Sequence, residues 1–468
     1  MKTYQDLLNV GDDAQKRLEF VFSVIADHKA SPDFKTAETA VLYDKQQNKT
    51  IMDYQKLLYT VTGQTVPDNY SANHKLCSNF FDYFVTQENQ YLLGNGINWQ
   101  DEKTADALGK DFDTKLQQAG HDALVQKCAF GFWNYDHLEV FGYTEFAPIF
   151  DEEDGSLKAG VRFWQIDAYK PLRATFFELD GYTDYIWSRR DEDGTLQREY
   201  EGSELHPKRT YKQIVQTSAA DGEQIFDFEN YPGFPIIPLY ANPNKQSELV
   251  GRREQIDAYD LIKSGFANDV DDASLIYWTL QNAGGMDDVD LAKFVQRMRT
   301  LKAAVVDSPG AVAESHTVDV PFASREAILN RLRLDLYESF MALDTKIIAG
   351  GAVTATQIRA AYEPLNSKTD KFEYEVRTFL SALLKLIGIE DSPSFSRSTI
   401  VNSSEEVTML LQSAQFLPQD YILKKLLTIF GDVDQIDDVK AQMDEENMAK
   451  MQMLLAQQAA ENGGVDVE

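Results

Sequence analysis

The 468-residue sequence predicts an α+β protein built around long helices. Three observations carry that expectation. Over residues 248–276, apolar side chains fall at Ile256, Tyr259, Ile262, Phe266, Val270, Ala273 and Ile276, steps of three and four that lay one stripe along a helix. Residues 324–348 repeat the design with Ile328, Leu332, Leu336, Phe340, Leu343 and Ile347. Over residues 137–227 the period is two. There, Asp154-Gly155, Asp193-Gly194 and Asp221-Gly222 each sit between strand-like runs. Asp-Gly supplies the positive φ of a type I′ hairpin turn, so this region predicts an antiparallel sheet.

In chain order, Leu18, Val21, Phe22 and Ile25 predict an amphipathic helix, and Val41-Leu42-Tyr43 a short strand. Residues 73–97 read as a helix stopped by Gly94-Asn95-Gly96. Residues 101–119 read as a helix ending at Gly120, followed by another running from 121 toward 130. Pro232, Pro235, Pro238 and Pro243 then break regular structure around an edge-like strand over 236–240. Trp133, Trp164 and Trp187 read as sheet and core packing.

After the first long helix, residues 277–322 form a small mixed excursion. Tyr277-Trp278-Thr279-Leu280 continues the helix or begins a strand. Residues 287–299 have helix spacing, and 303–306 and 317–320 look like short strands. Ser324 is the expected N-cap of the second long helix. Residues 349–366, with Gly350, Gly351 and Pro364, read as a loop with at most a helical fragment. Helices are expected at 367–389, 403–414, 419–430 and 434–460.

Composition bounds the function. A hydrophobic content of 43%, with 22 Tyr and 27 Phe, fills a core and excludes global disorder. No apolar run approaches the ~20 residues that cross a bilayer. The N-terminus lacks the basic-then-apolar layout of a signal peptide, so the expectation is a cytoplasmic product with no membrane partner. Cys77 and Cys128 are not spaced as metal ligands and read as buried free thiols. The net charge of −30 disfavours a grip on phosphate backbones, which comes from Lys and Arg.

Chemistry is scarce. Gly109-Lys110 is followed by Asp111, so there is no Walker A, and no HExxH, nucleophile elbow, CxxC or dinucleotide fingerprint occurs. The six histidines are scattered. Asp269, Asp271 and Asp272 lack the Gly and Glu of an EF-hand and read as a solvated helix face. The expectation is no catalytic residue, no metal, no cofactor and no enzyme.

Four stretches point further. They are Tyr91-Leu92-Leu93-Gly94-Asn95-Gly96-Ile97; Pro235-Ile236-Ile237-Pro238-Leu239 with Asn242, Pro243 and Gln255-Ile256-Asp257-Ala258-Tyr259-Asp260; residues 264–272, SGFANDVDD; and residues 368–387 with Lys371, Glu373 and Glu375, then Asn402 and Glu405-Glu406. In this order and spacing the sequence resembles the portal (head–tail connector) proteins of tailed bacteriophages, siphophage type. The family's Ser-Gly-x-Ala stretch is replaced by Gly350-Gly351-Ala352-Val353-Thr354.

The resemblance implies a phage portal fold: a wing over residues 1–247, stem helices over 248–276 and 323–348, a clip over 277–322, a tunnel loop over 349–366, a long wing helix over 367–389, and a helical crown with tail over 390–468. It implies a homo-oligomeric ring of twelve at one capsid vertex of the virion, assembled in the bacterial host cytoplasm. Double-stranded DNA would pass through its channel without being tightly bound. Partners would be the terminase large subunit, the head–tail adaptor, and the major capsid and scaffolding proteins.

The same resemblance gives the channel Gly350, Gly351, Val353, Thr354, Thr356, Gln357, Arg359, Lys368 and Lys371. It gives the stem a charged face of Asp257, Asp260, Lys263, Asp269 and Asp272, split between intersubunit pairs and channel wall, and the clip a docking surface with Asp287, Asp288, Arg297 and Arg299. An acidic wall suits a channel, because tight phosphate binding would brake the DNA and repulsion keeps it centred. The alternatives are another multimeric acidic capsid-vertex or adaptor scaffold, and a metal-dependent nuclease using Asp269 and Asp272.

Overall fold

The period-two region folds as separate antiparallel arrays in the computed structural model of the chain. The structure describes residues 2–59, 63–69, 71–190, 196–217, 224–273, 277–281, 289, 293, 312–316, 322–346, 354–397, 403–430 and 436–462. These divide into two units, residues 1–343 with 364–398, and residues 344–363 with 399–468.

In the first unit, a five-stranded sheet has the order Leu196–Arg209, Gly181–Arg190, Leu172–Glu178, Leu157–Trp164, Phe146–Phe150. Alternation decides which side is buried. Val161 and Phe163, Ala174 and Phe176, and Tyr185 and Trp187 join one core with Phe20, Val21, Val24 and Ile25 of the Ala14–Ala30 helix. A three-stranded sheet has Ile236–Tyr240 at its edge, then Cys128–Asn134, then His137–Gly142. Lys212–Thr217 pairs with Gln224–Glu229. The Asp154-Gly155 hairpin forms, with Gly155 at φ 68, but Phe150 pairs with Leu157, so the connection is longer than a two-residue turn. The other two Asp-Gly pairs lie outside the described residues, between strands that do pair.

A second core joins Phe81, Phe84 and Leu92 of the Phe80–Leu93 helix, Leu116 and Ala123 of Phe112–Gln126, and Phe372, Val376, Phe379 and Leu383 of Ala355–Ile387. Gly120 is a packing glycine inside its helix, not a stop. A Cβ there would lie 2.4 Å from Asn89 Oδ1 and 3.0 Å from Leu93. The break falls instead at Gly109, φ 84, between Glu102–Leu108 and Phe112–Gln126, and Phe130 is on a strand.

Other expectations change as well. Val41-Leu42-Tyr43 ends the Pro32–Asp44 helix, which Ser31 caps with Pro32 in its first turn. The helix expected over 73–97 is confined to Phe80–Leu93. The first long helix begins at Arg253, preceded by turns from 248, and is described to Ala273. The second runs Phe322–Ser339. Ser324 lies inside it and is not its cap, and Met341 at φ 52 turns the chain away before residue 348. Tyr277–Gln281 is a strand paired with Val312–His316.

Residues 355–366, read as loop, are the start of one helix, Ala355–Ile387, with Pro364 inside it at the division between units. The second unit also holds the helices Ser403–Gln412, Gln419–Phe430 and Ile436–Asn462. Trp164 is 40% exposed rather than core, and Cys77 is only half-buried. The strands expected at 303–306 and 317–320 lie outside the described residues, as does most of 287–299.

Candidate functional site

The two long helices pack antiparallel. Phe266 meets Phe322 edge-on with centroids 5.5 Å apart, and Arg325 pairs with Asp269. At the other end Arg252 Nε donates to Ser339 O at 2.8 Å, and Ile256 shares a core with Leu336 and Phe340.

The polar face of Arg253–Ala273 is covered by the chain's own N-terminal part. Three of its side chains accept backbone N–H groups from alternate residues of the extended segment before Phe80. Asp260 Oδ1 takes Ser78 N (2.9 Å), Ser264 Oγ takes Leu76 N (3.0 Å) and Asn268 Oδ1 takes His74 N (2.6 Å). The match is one of periods. Four helical residues advance about 6 Å and two extended residues about 6.6 Å. A segment that pairs with no strand thereby satisfies the buried Ser78 amide and the part-buried amides of Leu76 and His74. Asn48 Nδ2 donates to both Asp260 and Ser78 O, and Asp257 accepts from the Tyr43 and Thr50 hydroxyls. Burial pushes the Asp260 carboxyl above its ordinary value, against the bonds from Asn48 and Ser78.

One turn before the first long helix begins a buried charge node. Lys368 Nζ lies 2.5 Å from Glu88 and 2.9 Å from Glu248, and Arg252 pairs with Glu248 at 2.7 Å. Phe340 packs under both cations, 4.8 Å from Arg252 and 5.7 Å from Lys368. Lys368, Glu88 and Glu248 are all buried. Burial pushes Glu88 up to about 7, with Glu248 adding and Lys368 opposing. Burial also works against the charges of Glu248 and Lys368. Lys368 and Arg252 nevertheless hold Glu248 below its ordinary value, and the two carboxylates hold Lys368 above its own.

Several residues expected on a channel-side or stem surface are therefore engaged within the chain. Lys368 is locked in the node. Asp260 is fully buried and Asp257 half-buried, both bonded to the N-terminal part, and Asp269 is engaged by Arg325. Lys263 is half-buried, its Nζ 5.9 Å over Tyr259. Asp272 lies in the helix, with its side chain outside the description.

Thr354 and Gln357 form a capping box. Thr354 N donates to Gln357 Oε1 at 3.0 Å, and Gln357 N to Thr354 Oγ1 at 3.3 Å. Thr356, Arg359 and Lys371 are exposed. Gly350, Gly351, Val353, Asp287, Asp288, Arg297 and Arg299 lie outside the described residues. Among the described residues, no three His, Cys, Asp or Glu side chains are grouped to hold a metal ion, and no helix is long and apolar enough to cross a membrane.

The matched sequence carries these features with it. A family model described as "Phage portal protein, SPP1 Gp6-like" matches residues 37–449, which take in both long helices, the N-terminal segment and the node. The chain belongs to this phage portal protein family. It is 24% identical over 378 residues to the portal protein of Clostridium phage phiCD119, covering 76% of this chain and 81% of that one. It is also 24% identical over 431 residues to the portal protein of Bacillus phage SPP1, covering 85% and 80%. Portal family proteins are structural by name, and the arrangement here is likewise one of positioning: its buried charges hold the described helices together.

Proposed function

We propose that the chain is the subunit of a portal ring, twelve copies around a channel at one vertex of the phage capsid. Double-stranded DNA enters through it during packaging and leaves through it during ejection. The observation that carries this reading is the family match from residue 37 to 449. Beside it stands the pair of antiparallel helices, Arg253–Ala273 and Phe322–Ser339, enclosing the 277–322 excursion. The helices are the stem, the excursion is the clip, residues 1–247 are the wing, and 390–468 are the crown and tail. The clip docks the terminase large subunit and later the head–tail adaptor. Capsid and scaffolding proteins surround the wing during assembly in the host cytoplasm.

The channel-side loop in this reading is the sequence between Lys346 and Thr354, with Arg359 the nearby cation. With a net charge of −30 per copy, the wall repels phosphates and lets the DNA slide. Deleting residues 350–355 is expected to leave ring assembly intact and to reduce DNA packaging or retention, measured as nuclease-protected DNA per particle. Normal packaging and retention by the deletion variant would remove the loop from this role.

A further inference from the structure

The helix Ala355–Ile387 is buried along one side, through Phe372, Val376, Phe379 and Leu383. Its opposite side is open. From Ser367, the exposed residues Lys371, Tyr374, Thr378, Ala382 and Lys385 follow in steps of four, three, four, four and three. They form one stripe about 27 Å long.

Three features separate this stripe from an ordinary solvated face. First, it carries no carboxylate, in a chain with 75 acidic and 45 basic residues. The exposed face of Ala14–Ala30, by contrast, mixes Lys16, Glu19, Asp27 and Lys29. Two of the acids beside the stripe are already engaged, since Arg397 pairs with Asp370 and Glu373, and Arg377 with Glu373; Glu375, half-buried, is the third acid on its flank. Lys371 and Lys385 form no ion pair with any described residue. Second, Tyr374 stands 65% exposed in the middle. Third, the stripe ends at a cleft of about 560 Å³ lined by Gln100, Leu384, Lys385 and Ile389 together with the acids Glu390 and Asp391, of which Asp391 already accepts the backbone N–H groups of Gln100 and Asp101.

We propose that this stripe is the surface on which a second copy of the chain docks, through carboxylates of its acid-rich exterior. The proposal rests on the ring reading above and names a contact within it. Copies carrying −30 each repel one another, so a closed ring gains by placing carboxylate-free, cationic surface against a neighbour's acids. Tyr374 supplies the aromatic anchor that excludes water from the flanking lysine pairs, and the cleft receives a side chain from the neighbour.

The test uses the full chain. Sedimentation velocity and electron microscopy compare the wild type with Lys371→Glu/Lys385→Glu and with Tyr374→Ala. These side chains are exposed, so both variants are expected to melt like the wild type. Each is expected to need at least tenfold more protein for half-assembly, with the charge-reversal variant the worse. A photo-crosslinking phenylalanine analogue in place of Tyr374 is expected to give covalent dimers joined to an acidic peptide of the neighbour. Rings formed by both variants at wild-type concentration would overturn the stripe while leaving the ring reading standing. Crosslinking to DNA in filled heads, in place of dimers, would assign the stripe to the channel and overturn it too. A wild type that forms no ring overturns both.

Discussion

Replacing Lys368 by methionine is expected to destabilise the fold by about 3–5 kcal/mol, read as a lower urea midpoint, because it strands the buried Glu88 carboxyl without its cation. Lys368 is the only cation within ion-pair distance of Glu88 among the described residues, whereas Glu248 keeps Arg252. Lys368→Met combined with Glu88→Gln is therefore expected to recover part of the loss, since the second change removes the stranded charge.

A pH signature separates this from simple loss of packing. Glu88 sits at about 7 in the fold against an ordinary 4.5, so the folded chain keeps a proton that the unfolded chain releases. Its contribution is fully present below pH 4.5 and is lost as pH rises to about 7. Glu88→Gln is expected to abolish that fall, measured as the urea midpoint between pH 4 and pH 8. An unchanged pH profile would mean that Glu88 titrates in the fold as it does in the unfolded chain.

Asp260→Ala is expected to cost about 2–3 kcal/mol, because it leaves the buried Ser78 N–H and the Asn48 amide without their charged acceptor. Amide hydrogen exchange locates the effect. Protection is expected to fall across residues 74–78, where the segment is tied to the first long helix at three points. Ser264→Ala frees only the Leu76 amide and Asn268→Ala only that of His74, so each is expected to cost less. Exchange unchanged at Ser78 in Asp260→Ala would contradict the mechanism.

These two sites show where the sequence is legible. Periodicity finds the long helices, since Ile256, Leu336, Phe340, Phe372 and Val376 do become core. It also finds the hairpins, because the strands on either side of each Asp-Gly pair are hydrogen-bonded partners. It misplaces Val41-Leu42-Tyr43, where Ser31, Pro32 and tertiary packing outweigh three residues of strand propensity.

The polar network was not legible, because charge pattern alone does not say what covers a face. Asp257 and Asp260 look like a wet helix surface until Tyr43, Asn48, Thr50 and Ser78 are laid across them. A local signal did exist for the node. Glu248 and Arg252 are spaced i,i+4, and Lys368 falls among the buried positions Leu365, Phe372 and Val376. A lysine on an apolar stripe calls for a buried acid, but Glu88 is 280 positions away by the numbering and only the fold brings it there.

Electron microscopy of the purified 468-residue chain decides whether its copies close into a ring. Rings with a central hole and about twelve-fold symmetry are expected in averaged top views. Monomers or dimers alone, across a range of salt and protein concentration, would contradict the ring.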